Sequence, residues 1–323
     1  MTRDGIAGGL LGVHAGDSLG ATVEFKAWSE IRVQYPDGVR DIVGGGPFNW
    51  PAGHATDDTD LTRAVLLAYL EPGADLVRTA ADHMVDWYEG AWPGRKPGQR
   101  PADVGNATAW GLRKYVRTGD PRDAGAGRGK AGNGSLMRCV PTALAVTDRD
   151  RRVRESMEIS AITHDDERCT VACAAYNEIA AALLAGASPA DAVTEGRDTA
   201  AALDAPVVAD AIESGRAMRP AVLAASGPGD AFPGGAGGYV LESLTLAVAA
   251  VLDPRPYPDV VIDVVRVGRD TDTNGAIAGG LLGIRDGAAA IPSAWVAKLQ
   301  FADEFTAAAE TLATRSPSGP SFR

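Results

Sequence analysis

The stretch "HATDDTDLT", residues 54–62, sets Asp57, Asp58 and Asp60 within four positions and meets no Lys or Arg before Arg63. Two carboxylates about 4 Å apart repel by about 4 kcal/mol at an effective dielectric of 20, so the crowding must be offset by water, a helix N-terminus or a cation. A second acidic group lies far along the chain in "GRDTDTN", residues 268–274, where Asp270 and Asp272 straddle Thr271 and Thr273 adds a hydroxyl. Both groups run directly into helical patterns, and a helix N-terminus favours an anion by about 0.3–1 kcal/mol, with Ser, Thr and Asp as preferred caps. Capping uses one such residue per helix. Thr56, Asp57, Asp58, Asp270, Asp272 and Thr273 together exceed that need, and they match the charged oxygen ligands that hard divalent cations take. Two Mg²⁺ or Mn²⁺ ions are the expected cofactors; a pair about 3.5–4 Å apart could share carboxylates and activate a bridging water. A calcium hand is excluded, because "DDTDLTRAVLLA" lacks the Gly at its sixth position and the Glu at its twelfth.

The elements that would position these acids read at helical period. Residues 60–71, 75–90, 169–186 and 292–314 carry the pattern, and breakers fall at 71–74, 92–101, 226–238 and 253–258. Ten or more helices follow, in an all-α single domain over 1–314, with 315–323 as a frayed tail. The heptapeptide "IAGGLLG" occurs at 6–12 and again at 277–283. Its glycines permit close helix packing. The first copy leads into Asp17 and Glu24 and the second follows Asp270 and Asp272, so pairing the copies would join acids from both ends of the chain. Asp103 opens "DVGNAT" and suits the N-cap of a helix over 104–118; the Gly-rich loop 125–135 reads as flexible backbone able to approach an anion, with Lys130 adding charge. His164 alone reads as a structural histidine and Tyr239 as core at a helix start, while His14, His54 and His83 carry no site argument.

Composition narrows the classes. The chain of 323 residues is 45% hydrophobic and 23% charged, as in a soluble globular enzyme. A net charge of -11 argues against nucleic acid and anionic membrane as partners, though it leaves room for a compact basic pocket. No stretch approaches the roughly 18 apolar residues of a membrane span, and "MTRDGIAGGLLGVHAGD" lacks the pattern of a signal peptide, so a cytoplasmic monomer is expected. Cys139, Cys169 and Cys173 read as small buried hydrophobes.

Taken in order, "GDSLGATVEF" (16–25), "GGGPFNWPAGHATDDTDLT" (44–62), "DVGNATAWGL" (103–112), "GNGSLMRCVPTAL" (132–144), "THDD" (163–166), "GGYVLESLTLAV" (238–248) and "GRDTDTNGAIAGGLLG" (268–283) resemble the ADP-ribosylglycohydrolases, a family that includes the dinitrogenase reductase-activating glycohydrolase and the J1-type crystallins. The pairing of "TDDT" with "GRDTDTN" is the most specific part. The resemblance implies an all-helical fold around a binuclear Mg²⁺ or Mn²⁺ cleft, with Thr56, Asp57, Asp58, Asp270, Asp272 and Thr273 as metal ligands. It implies Glu24 as a mobile carboxylate beside metals and ribose, Asp103 as the carboxylate acting on leaving group or water, and Asp58 within the catalytic set. Gly132, Asn133, Gly134, Ser135, His164 and Tyr239 become substrate contacts.

The expected reaction is hydrolysis of the glycosidic bond that joins ADP-ribose to an acceptor on a protein or small molecule, an arginine-type linkage before a serine or O-acetyl one. Metals would hold the ribose hydroxyls while Glu24 and Asp103 handle protons around an oxocarbenium-like transition state. The alternatives are a binuclear phosphohydrolase cutting the diphosphate and a non-catalytic ADP-ribose binder or structural protein. A binder would have lost metal ligands, and all six positions are intact.

Overall fold

The computed structural model describes residues 2–71, 73, 75–233 and 235–315. The chain builds α1 (Arg3–Gly20), α2 (Trp28–Gln34), α3 (Asp57–Leu70), α4 (Leu76–Glu89), α5 (Asn106–Thr118), α6 (Pro141–Ala145), α7 (Arg149–Ala161) and α8 (Glu167–Leu184). It continues through α9 (Pro189–Ala202), α10 (Pro206–Ala217), α11 (Pro220–Ser226), α12 (Val240–Leu252), α13 (Tyr257–Arg266), α14 (Thr271–Asp286), α15 (Ser293–Val296) and α16 (Ala302–Arg315). The fold is all-α, as expected; among the described residues there is no strand, only isolated pairings such as Gly132 with Tyr239. Local chemistry sets the boundaries. Thr2, Thr56, Asp75, Asp148, Asp166 and Ser188 each accept a backbone N–H at a helix start, and Gly90 and Gly119 end α4 and α5 in the left-handed conformation. No described helix is long and apolar enough to cross a membrane.

The repeated heptapeptide does pair with itself. α1 and α14 lie antiparallel, and a Cβ built on Gly8, Gly12 or Gly16 would fall 2.0, 2.2 or 2.0 Å from the carbonyl oxygen of Gly283, Gly279 or Gly275. Only hydrogen fits in those gaps, so backbone packs on backbone. Tyr257 Oη donates to Gly12 O (2.8 Å), Tyr176 Oη donates to Ile277 O (2.8 Å), and Thr271 Oγ1 donates to Gly20 O (2.8 Å) at the end that carries the acids. Around this pair α3, α8, α12, α13 and α16 bury apolar faces that include Leu61, Ile179, Leu244, Val265 and Phe305, and the pair itself buries Leu10 and Leu281.

One expected element divides. The segment 292–314 does not form a continuous helix: α15 stops at Val296 and α16 starts at Ala302. Helical periodicity survives on both sides, but the chain between is claimed by distant partners. Gln300 N donates to Gly53 O (2.9 Å), Ala55 N donates to Gln300 Oε1 (3.2 Å), and Phe301 N donates to His14 Nε2 (3.3 Å). Of the expected tail 315–323, Arg315 ends α16 with its guanidinium on the carbonyls of Tyr69 and Leu70, and 316–323 lie outside the described residues.

Candidate active site

The first turn of α3 answers the crowding of its acids. Thr56 caps the helix, its Oγ1 accepting from Asp58 N (3.4 Å), and two carboxylates from elsewhere approach the remaining free N–H groups. Asp17 of α1 accepts from Thr56 N (3.1 Å), Thr59 N (3.3 Å) and the Thr59 hydroxyl through one oxygen. Asp103 accepts from Asp57 N (3.0 Å). Asp103 is therefore not the cap of its own helix: α5 begins at Asn106 with Gly105 as cap, and the carboxylate turns across to α3. Asp60 points away from the others and is neutralised by Arg95 (2.7 Å) and the indole N–H groups of Trp87 (2.9 Å) and Trp92 (2.8 Å).

The second acidic group meets the first at the start of α14. Thr273 Oγ1 donates to Asp58 Oδ2 (3.3 Å), a bond between residues 215 positions apart, and Thr56 Oγ1 lies 3.3 Å from the same oxygen. Asp272 Oδ1 accepts from Thr273 N (2.9 Å), and Asp270 Oδ2 accepts from Asn133 Nδ2 (2.7 Å), which is itself braced by Ser243 Oγ (3.0 Å). Glu24 is delivered by a short backbone pairing in which Phe25 N donates to Arg269 O (2.7 Å) and Arg269 N donates to Lys26 O (2.8 Å). Its carboxyl sits among those of Asp270, Asp103, Asp17 and Asp272. Burial, then repulsion from Asp270, Asp103 and Asp17, pushes the Glu24 carboxyl up to about 8. Burial likewise pushes Asp17 up to about 7 and holds Asp57, Asp58 and Asp272 well above the usual carboxylate range, with neighbouring acids adding to the shift.

These acids floor a cleft of about 410 Å³. Glu24, Asp57, Asp103, Asp270, Asp272 and Thr273 line it directly, while Thr56 and Asp58 lie buried just behind. The opposite wall is the Gly-rich loop, pinned to the start of α12 by Asn133 N donating to Gly238 O (3.0 Å) and Val240 N donating to Ala131 O (3.1 Å). Gly132, Asn133, Gly134 and His164 face the cleft. A Cβ on Gly134 would come 2.9 Å from His164 Cε1, so a side chain there would push the imidazole aside. Arg138 Nη2 donates to Thr163 Oγ1 (2.8 Å), whose hydroxyl donates in turn to His164 Nδ1 (2.8 Å), leaving Nε2–H as the donor turned toward the cleft. Burial and the Arg138 charge hold that imidazole neutral, its pKa lowered to about 3.

Two expected contacts stand elsewhere. Ser135 is buried behind the loop, its oxygen accepting from Ser160 Oγ (2.8 Å). Tyr239 is not core: it is partly exposed at the rim, with the Arg168 guanidinium 5.7 Å from its ring centroid. Three residues with no assigned role turn out to position the site. Besides Asp17, His14 and Ser18 form a relay in which Phe301 N donates to His14 Nε2, His14 Nδ1 lies 3.2 Å from Ser18 Oγ, and Ser18 Oγ donates to His54 O (3.1 Å), two residues before the Thr56 cap. The i,i+4 spacing of His14 and Ser18 on α1 was the available signal. At the mouth, Phe25 adopts a positive φ of 65° and stands 58% exposed, edge-on to Phe48 at 6.2 Å.

As a metal-binding set, the acids do not form a closed carboxylate cage: among the described residues no three His, Cys, Asp or Glu side chains are gathered for an ion. Threonine hydroxyls and the Asn133 amide stand between them. Yet Asp17 Oδ1, Glu24 Oε2, Asp58 Oδ1 and Asp103 Oδ1 are buried oxygens without a hydrogen-bond partner. An unpaired buried carboxylate oxygen is costly, and a cation satisfies it. The donor set, all oxygen and mostly anionic, fits a hard divalent ion.

An all-helical frame whose two ends converge on an oxygen-rich, acid-floored cleft sets carboxylates where a hydrolase uses them. A family model described as ADP-ribosylglycohydrolase matches residues 1–320, and the chain belongs to that family. It is 29% identical over 299 residues to the ADP-ribosyl-[dinitrogen reductase] glycohydrolase of Rhodospirillum rubrum, covering 92% of this chain and 90% of that one. It is 28% identical over 316 residues to the ADP-ribosylarginine hydrolase Tri1 of Pseudomonas putida (strain GB-1), covering 97% and 79%. A solved structure titled ADP-ribosylglycohydrolase-related protein complex superposes with a TM-score of 0.80 at 28% identity, over 97% of this chain and 98% of that one.

Proposed function

We propose that this protein removes ADP-ribose from arginine-type acceptors by hydrolysing the glycosidic bond, with Mg²⁺ or Mn²⁺ bound in the acidic cleft. The observation that carries the reading is the Thr273–Asp58 bond together with the unpartnered oxygens of Asp58, Glu24, Asp17 and Asp103 around it. Thr56, Asp57, Asp58, Asp270, Asp272 and Thr273 would hold the ions, which supply Lewis-acid polarisation and orientation of the ribose hydroxyls when bound.

The chain's own residues account for the rest. Gly132 and Gly134 let the loop backbone come close to a diphosphate, and Asn133 fixes that loop to Asp270, so phosphate binding and acid placement are coupled. The neutral His164 offers Nε2–H to a ribose oxygen. Glu24, with its raised pKa of about 8, holds a proton at neutral pH in the absence of a nearby cation and gives it up when one lowers that value. Asp103, held on the floor by Asp57 N, lines the cleft and would accept or return a proton at the leaving group or water. Phe25, exposed, and Phe48, half-buried, both line the cleft and favour arginine over serine as acceptor, because aromatic faces before an acidic floor suit a planar guanidinium.

The test supplies ADP-ribosylated arginine and ADP-ribosylated serine with and without Mg²⁺ or Mn²⁺ and identifies products by mass. Free ADP-ribose from the arginine substrate, lost on chelation, is expected. AMP with phosphoribosylarginine would indicate diphosphate cleavage instead, and cleavage undiminished by excess chelator would refute the metal role.

A further inference from the structure

The acidic cleft is not the protein's one concavity. On the other side of the Gly-rich loop lies a groove of about 620 Å³, walled by Trp110, Arg113, Lys114 and Arg117 of α5 and floored by Gly125–Gly127 with Asp165. In a chain of net charge -11, a wall with three bases and one acid is a local inversion of sign. The bases are not used up internally. Lys114 pairs with Asp123 (3.1 Å), but among the described residues Arg113 donates only to the backbone of Ala109 (3.0 Å) and Arg117 makes no ion pair. Asp165 is turned to the loop, accepting from Gly127 N (2.6 Å). Trp110 stands 59% exposed.

The same helix, α5, lines both the groove and the cleft. Asn106 lines the cleft; Trp110, Arg113 and Arg117 follow it at four, seven and eleven positions, the spacing of a single stripe. From Trp110 to Arg117 the stripe spans about 10 Å, the length of about three residues of extended peptide. A lone phosphate would engage one of these side chains. An extended polyanion leaving the cleft mouth would engage all three, with its stem against the indole.

We propose that this face of α5 is a docking surface for an acidic peptide segment flanking the modified arginine of a protein substrate, read by Arg113 and Arg117 with Trp110 packing on the segment. The proposal rests on the functional reading above. It makes the protein select among modified proteins by the charge of the sequence around the acceptor.

Three substrates separate the two ideas: free ADP-ribosylarginine, an ADP-ribosylated arginine peptide with three Asp or Glu on one flank, and the same peptide with those residues changed to Ser. The acidic peptide should show a KM about five- to tenfold below the neutral one at low salt, shrinking toward unity at 1 M salt. In an Arg113→Glu/Arg117→Glu protein the preference should vanish, with free ADP-ribosylarginine cleaved at the wild-type rate. Equal KM values for both peptides, beside normal cleavage of the free amino acid, overturn the docking surface and leave the activity standing. If no substrate is cleaved, the activity has failed, and binding decides the surface. The unmodified acidic peptide should shift the Trp110 indole N–H resonance in wild type and not in the double variant. A shift caused equally by the Ser peptide, by ADP alone, or more strongly by an oligonucleotide of matched charge overturns it.

Discussion

His14 is buried in the relay that steadies the Thr56 cap, and its Nε2 must stay unprotonated to accept from Phe301 N. Burial lowers its pKa from 6.5 to about 3. Protonation would set two donors against each other. Between pH 7 and pH 5 the unfolded chain binds most of one proton at this histidine, whereas the folded chain binds almost none. The unfolded state therefore binds more protons, stability rises with pH across that window, and acidification from 7 to 5 removes about 2 kcal/mol through this residue alone. For a chain of this length, with an unfolding entropy of about 2.1 cal/mol/K per residue, that is about 3 °C in Tm. The perturbation is His14→Gln, which has no proton to gain. Its baseline stability will fall, but its loss between pH 7 and 5 should be smaller than that of the wild type by about 2 kcal/mol, read by denaturant titration at both pH values. Equal losses in the two proteins, or a His14 ring that titrates near 6.5 by NMR, would refute the reasoning.

Other outcomes follow from the same geometry. Mg²⁺ or Mn²⁺ at a hundred times its dissociation constant should raise Tm by about 4 °C, and Asp58→Ala or Asp272→Ala, or added chelator, should abolish the shift seen by calorimetry. Gly12→Val forces a side chain into a gap where Cβ alone lies 2.2 Å from Gly279 O; a loss of about 3 kcal/mol or more, or insoluble protein, is expected in expression and melting assays. Asp103→Asn keeps an oxygen for Asp57 N, so Tm should change little while kcat on ADP-ribosylarginine falls by about 10²-fold or more. Asp17→Ala strips the acceptor from Thr56 N and Thr59 N and should cost about 1–3 kcal/mol in a denaturant titration.

What could be read before any coordinates follows a physical divide. Helices announce themselves through periodicity and caps, so α3, α4 and α8 begin and end within a few residues of the patterned segments. The meeting of Asp58 with Thr273 was legible because a repeated Gly-rich heptapeptide sits beside each acidic run and backbone-to-backbone packing needs glycine on both partners. The break between α15 and α16 was not legible, since its cause is hydrogen bonding to Gly53, Ala55 and His14, which no local pattern encodes. Asp103 looked like a cap because Asp is a common one; only the proximity of α3 redirects it. Tyr239 looked like core in its context, yet it stands partly exposed, paired with Gly132 and with the Arg168 guanidinium 5.7 Å from its ring. The orientation of a single side chain depends on such neighbours, and that is why Ser135 faces inward while Asn133, two residues earlier, faces the cleft.

The embrace of α1 by α14 has a consequence for biosynthesis. About 250 residues separate Gly20 from Thr271, which it meets, and at a translation speed of about 5–20 residues per second the ribosome needs roughly 12–50 s to supply them. Throughout that interval the nascent chain carries a glycine ridge with nothing to clasp, and it comes to hold Glu24, Asp57, Asp58 and Asp103 long before their partners Asp270 and Asp272 exist. Catalytic competence thus arrives late and all at once, and a transcript cut short before the second heptapeptide yields a polypeptide with most of its mass and none of its chemistry.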